Sequence, residues 1–213
     1  LSAQGMELLT VLPLRSVASA APPIRKLVQG DLRLVTLLCW GAFFSSFFTL
    51  YFLTSWIPRL AVEAGYPLAT AINGSAAFNV GAFVGLVALG WFASRFELAV
   101  LIATFFILSA ITMIVFGAQH TPEAVFFAGM VVIGFLVQGG FGGLYAIAAR
   151  IYPTEVKTTG VGWSIGIGRL GAVAGPVVGG IVISAQLSLF ASFVIFAIPM
   201  VIAALLTLLI ARL

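Results

Sequence analysis

Charge is scarce in this chain. Asp, Glu, Lys and Arg together make up 8% of 213 residues, while 62% are hydrophobic. Soluble domains run at about 25% charged and about 45–50% apolar. So few charges cannot cover a water-soluble surface, which leaves the class of polytopic integral membrane proteins. Cysteine is limited to Cys39, in an apolar run. That excludes an intrachain disulfide and suits a small buried hydrophobe. The single histidine, His120, falls in an outer polar turn and reads as a loop residue. No His/Asp/Glu cluster has metal-ligand spacing, and no Ser or Cys stands beside a base. An enzyme is therefore disfavoured, with no catalytic residue, metal or cofactor expected. The net charge of +4 is not gathered on one arm or face, so nucleic acid is not an expected partner.

What is present is apolar length. A spanning helix needs about 20 mostly apolar residues. Six such stretches occur, at about 34–57, 68–93, 98–117, 124–149, 160–183 and 189–211. "WIPRL" closes the first, and Pro122 breaks the turn before the fourth. Only the uncharged "SAQLS" separates the last two, but a run of 42 residues is too long for one span. The fold expected is all-α, a six-helix bundle over 32–213. Residues 1–31, with "AAPPIRKLVQGDLR", read as a polar linker. The chain opens on Leu, and a preceding N-terminal part is expected. Arg25, Lys26, Arg33, Arg95, Arg150, Lys157 and Arg212 fall on one side of the membrane, against Arg59 on the other. The positive-inside bias puts both termini in the cytoplasm.

The helices differ in kind. The third and sixth lack internal glycine and strong polar groups, as lipid-facing staves would. The second, fourth and fifth are glycine-rich, and small residues at i, i+4 let backbones approach closely in lipid. Gly74, Gly81 and Gly85 share a face, with Asn79 on the other side. Gly168, Gly171, Gly175 and Gly179 form a second packing stripe, with Arg169 turned away from most of it. Gln138 shares a face with Gly134, Gly142 and Tyr145. The first helix offers Ser45, Ser46 and Thr49, with an aromatic row of Phe44, Phe48 and Tyr51. Candidate ligand groups are thus Arg169, Gln138, Tyr145, Asn79 and Ser46, with an aromatic ring resting on the first helix or on Phe135 and Phe141. Asn79 and Gln138 serve equally well as interhelical hydrogen-bond glue.

Arg169 lies roughly 13 Å into the fifth helix, near the bilayer centre. An arginine there costs about 2.5–3.5 kcal/mol on insertion scales. The chain has no intramembrane acid to pair with it. Glu7, Asp31, Glu63, Glu97, Glu123 and Glu155 all lie in loops, the linker or near helix ends. Guanidinium binds carboxylate through paired, charge-assisted hydrogen bonds. Either an anionic solute or an acid elsewhere in the protein is its expected partner.

"RIYPTEVKTTGVGWSIGIGRLGAVAGPVVGG" resembles the segment joining the fourth and fifth spans in the C-terminal half of major facilitator superfamily transporters, and is most similar to the aromatic acid:proton symporters. "YFLTSWIPRLAVEAG" is similar to that family's first helix of this half. The resemblance covers about 30–213. It implies one six-helix half of a twelve-helix carrier in a bacterial inner membrane. Its partners would be an N-terminal six-helix half, membrane lipid, a small organic anion and a proton. The implied activity is proton-coupled uptake by alternating access, with the titrating carboxylate outside this chain. A same-fold carrier for a sugar or other organic ion, or a non-transporting half, are the alternatives. "GWFASRF" matches the family's charged loop at Gly90 and Arg95, but has Ser94 where Asp is expected. The resemblance implies a cytoplasmic gating network of Arg95 with Glu155, flanked by Arg150 and Lys157. The missing Asp weakens that expectation.

Overall fold

The computed structural model describes residues 24–117 and 121–213. Residues 1–23 of the expected linker and His120 lie outside the described residues. Six helices are long and apolar enough to cross a membrane: α1 (Leu32–Glu63), α2 (Leu68–Phe92), α3 (Leu98–Gly117), α4 (Glu123–Ile151), α5 (Lys157–Ser184) and α6 (Leu189–Ile210). The fold is all-α, as the apolar runs predict. The main departure is at the end of α1. Pro58 does not stop the helix, although it removes one backbone donor. Ile57, Leu60 and Ala61 are buried just around it, and Arg59 pairs with Glu63 at 2.8 Å on the exposed side of the added turn. Packing therefore carries the helix six residues, nearly two turns, further than the breaker suggests. Gly65, at φ 91°, then reverses the chain with a conformation few other residues adopt. "SAQLS" does divide α5 from α6: Gln186 takes a positive φ, and the Ser188 side chain caps α6 by accepting from the Ala191 amide.

The helices pack as two groups of three. α1 lies against α5 and α6, α4 lies against α2 and α3, and α3 meets α6. Exchanging each helix with the one three places later leaves this set of neighbours unchanged. Three is odd, so the consecutive triplets α1–α3 and α4–α6 run in opposite directions through the membrane and form an inverted repeat. The glycines set its register. A Cβ on Gly81 or Gly85 would collide with the carbonyl of Val131 or Phe135 on α4. A Cβ on Gly171 or Gly175 would collide with the carbonyl of Phe44 or Phe48 on α1. Gly81 thus corresponds to Gly171, 90 positions on, and Phe44 to Val131, 87 positions on. A third pair exchanges large for small. Gly134 of α4 sits under Phe78 of α2, and the matching Gly168 of α5 sits under Phe47 of α1. Gly179 completes the α5 stripe against Phe52 and Trp56.

The expectation that α3 and α6 are the barest helices needs correction. In the central windows, 56% of α3 residues and 44% of α6 residues are buried, against 28% in both α2 and α5. α3 and α6 carry large side chains that fill space between neighbours, among them Ile102, Phe106, Met113, Phe196 and Met200. α2 and α5 bury a narrow seam of mostly small residues, with Phe78, Leu89 and Val182 the larger ones, and leave Val80, Phe83, Val87, Leu170, Val173 and Val177 uncovered. α3 and α6 still show one apolar stripe each, including Val100, Ile111, Ile198 and Leu205. Polar groups add cross-links at depth: Thr49 donates to the Phe196 carbonyl at 2.8 Å, in the turn before Pro199, and the Trp56 indole donates to the Pro176 carbonyl at 3.0 Å.

The glycine seams give a direct test. Gly81→Leu and Gly175→Leu each force a side chain into backbone and should destabilise the bundle by about 3 kcal/mol or more. Gly162→Ala, where a Cβ meets nothing within 4 Å, should be neutral in thermal unfolding of the detergent-solubilised protein.

Candidate functional site

Four polar residues sit near the helix centres. Asn79 is one residue before the centre of α2, Gln138 one after the centre of α4, and Arg169 just before the centre of α5. Tyr51 lies about one turn past the centre of α1. The repeat register pairs them: Asn79 corresponds to Arg169, and Tyr51 to Gln138. The four residues therefore flank the pseudo-twofold axis, where inverted-repeat carriers build their sites.

A cleft of about 330 Å³ joins three of them. Tyr51 and Thr54 of α1, Asn79 of α2 and Gln138 of α4 supply its polar wall, with Leu50, Phe78 and Ala82 behind. The Asn79 amide nitrogen donates to the Ser75 carbonyl at 2.8 Å. Only the NH₂ end can make that bond, so the side-chain oxygen is left as an acceptor. Thr54 donates to the Tyr51 carbonyl at 3.3 Å, which likewise leaves its lone pairs available. This part of the cleft is thus rich in acceptors and suited to a ligand hydroxyl or amine.

Arg169 does not line that cleft. It is exposed on α5 and forms neither hydrogen bond nor ion pair among the described residues, where the Arg59–Glu63 pair is the one salt bridge. Its charge is within electrostatic reach of the Tyr145 hydroxyl, and so is Tyr51. Tyr145 belongs to a row of rings: Phe43 and Phe141 meet it edge-on with centroids 5.3 Å away, Phe47 meets Phe141 edge-on at 4.8 Å, and Tyr51 stacks on Phe47 at 5.8 Å.

Several expected placements differ. Ser46 is fully buried and its hydroxyl has no hydrogen-bond partner, so it does not share the exposed surface with the other four. Phe135 faces away, toward Phe105 and a hollow with Leu108 and Val131. Phe48 stacks on Phe196 of α6, leaving Phe47 as the neighbour of Tyr51. Arg95 and Glu155 do not pair. The Arg95 guanidinium lies 4.1 Å from the ring centre of Trp91, one turn earlier, a cation–π contact that occupies it. Glu155, Arg150 and Lys157 are exposed and unpaired. Sequence reasoning placed Tyr51 in the wrong row and passed over Thr54. The i, i+3 spacing of those two residues on the face toward α2 was the available signal.

The model of the Major Facilitator Superfamily matches residues 39–213. A gallate transporter of Pseudomonas putida is 32% identical over 183 residues, covering 86% of this chain and 41% of that protein. A benzoate transport protein of Acinetobacter baylyi is 30% identical over 186 residues, covering 85% of this chain and 39% of its own length. A 4-hydroxybenzoate transporter of Pseudomonas aeruginosa is 35% identical over 145 residues, covering 68% of this chain and 32% of that protein. With six apolar spans in an inverted repeat and a family match over most of its length, this chain belongs to the Major Facilitator Superfamily. It resembles the aromatic-acid and benzoate-type members, and spans about a third to two fifths of the length of these relatives.

The cleft can be mapped by thiol scanning in a Cys39→Ala background. Thr54→Cys and Asn79→Cys should react with a membrane-impermeant thiol reagent, and Ser46→Cys and Phe135→Cys should not.

Proposed function

We propose that this chain is the C-terminal six-helix half of a bacterial inner-membrane secondary carrier. The carrier takes up a small aromatic carboxylate together with a proton, by alternating access. Arg169 carries the reading: a cation at the centre of an apolar helix, without an acid beside it, next to a tyrosine and a row of aromatic rings. Intramembrane cations of this kind are expensive and mark ligand or ion paths. The substrate carboxylate would meet Arg169 and Tyr145. Its ring would lie along the Tyr145–Phe141–Tyr51 side, and a ring hydroxyl would reach the acceptors of Asn79 and Thr54, with Gln138 adjusting to either. The gallate, benzoate and 4-hydroxybenzoate transporters it resembles agree with such a ligand.

The uncovered faces of α2 and α5 would receive the N-terminal half. That half would also supply the titrating carboxylate, because the described spans hold no acid near the site. The basic end of the bundle, with Arg25, Lys26, Arg33, Arg95, Arg150, Lys157 and Arg212, would face the cytoplasm. Arg150, Glu155 and Lys157 remain candidates for a gating cluster that forms against the other half.

The test is uptake of 4-hydroxybenzoate in membrane vesicles. Arg169→Gln should lower uptake by roughly 10- to 150-fold, the equivalent of about 1.5–3 kcal/mol for hydrogen bonds to a charge. Asn79→Leu should reduce the preference for 4-hydroxybenzoate over benzoate. A protonophore should abolish accumulation. Full uptake by Arg169→Gln removes the carboxylate role, and competition by sugars but not by benzoate would reassign the solute.

A further inference from the structure

Both loops that lead into the glycine-seam helices carry a Tyr–Pro pair: Tyr66–Pro67 before α2 and Tyr152–Pro153 before α5. They lie at opposite membrane faces, and each tyrosine is inserted between helices of different repeats. At the basic end Tyr152 is 2% exposed. Its ring lies against Gly160, where a Cβ would stand only 2.6 Å from ring carbons. Its hydroxyl is 3.4 Å from Ser164 Oγ, which in turn is 3.4 Å from Cys39 Sγ on α1. Thr36, fully buried beside the Tyr152 hydroxyl, makes no hydrogen bond of good geometry.

At the other end, the Tyr66 hydroxyl donates to the Thr121 carbonyl at 2.5 Å and lies 2.8 Å from the Thr121 hydroxyl. Its ring is 4.5 Å from Phe126, which fills the space above Gly74. The repeat register turns Phe126 into Cys39 and Gly74 into Ser164. The two tyrosines, 86 positions apart, stand close to corresponding points of the repeat, in sockets with different linings. One is closed by an aromatic ring and short oxygen–oxygen bonds. In the other the tyrosine hydroxyl meets Ser164 only at 3.4 Å, because Ser164 gives its short bond, 2.8 Å, to the Gly160 carbonyl, and the Thr36 hydroxyl is left over. A half-satisfied buried polar cluster is the weaker closure, since orphaned groups keep their desolvation penalty.

We infer that Tyr66 and Tyr152 are repeat-related positioning residues, pins that hold α2 to α4 at one face and α1 to α5 at the other, and that the Tyr152 pin is the one that releases during conformational exchange. Its release uncovers Cys39, the single cysteine of this sequence, which serves as a built-in reporter.

The experiment follows alkylation of Cys39 by N-ethylmaleimide in vesicles containing the whole carrier, with Cys39→Ala assigning the signal. Tyr152→Phe keeps the ring and should raise the labelling rate several-fold, with a thermal midpoint close to wild type. Tyr66→Phe should leave Cys39 labelling unchanged. A wild-type labelling rate in Tyr152→Phe overturns the inference. So does a rise matched by a fall in midpoint, which a purely structural role would produce. Should Tyr152→Phe not accumulate, Ser164→Ala breaks the same link from α5 and must raise labelling equally; a wild-type rate there is equally fatal. Labelling needs no transported solute, so its result is independent of the carboxylate reading.

Discussion

The closest approaches in this bundle are between backbones. Gly81 and Gly85 rest on carbonyls of α4, and Gly171 and Gly175 rest on carbonyls of α1. In lipid there is no hydrophobic gain from bringing two apolar helices together, so contact has to come from packing and weak polar attraction. A glycine seam supplies both at the shortest possible distance. It also tolerates only one register, because a slip by one residue would bring a side chain against a carbonyl. The placement of every polar group in the interior follows from those two seams.

Asn79 and Arg169 sit two residues before Gly81 and Gly171, and so inherit equivalent positions on opposite sides of the pseudo-twofold axis. Their chemistry is unequal: one offers an acceptor oxygen, the other a permanent cation. A symmetric frame with unequal ends suits an elongated ligand with a carboxylate at one end and a donor at the other. The same frame carries the two Tyr–Pro pairs, at closely corresponding positions and with unequal linings. In both cases the repeat fixes roughly where a group stands, and divergence between repeats makes the two ends chemically unequal.

Much of this was legible from residues alone. The apolar runs marked all six spans, and the glycine spacings marked the faces on which α2 and α5 approach their neighbours. Arg169 stood out because its helix has no other charge in its interior. The misreadings share a cause. Pro58 reads as a stop, but buried Ile57 and Leu60 hold the helix past it. Arg95 and Glu155 read as a pair, but the nearer indole of Trp91 takes the guanidinium. Ser46 reads as a cavity residue, but the way α1 turns buries it. Each depends on which neighbour arrives first, and a linear string does not contain that.

Sequence by itself determined that the chain crosses the membrane six times and which helices can touch through glycine. Hydropathy and the absence of a Cβ are local properties, independent of what lies across the gap. Only the tertiary structure decided that Tyr51, Thr54, Asn79 and Gln138 share one cleft, that Arg169 stays outside its lining, and that Tyr152 and Ser164 close over Cys39. These are relations between helices distant in the chain, set by the rotation of each helix about its axis. Side chains on four different helices can meet only after the glycine seams have fixed those rotations.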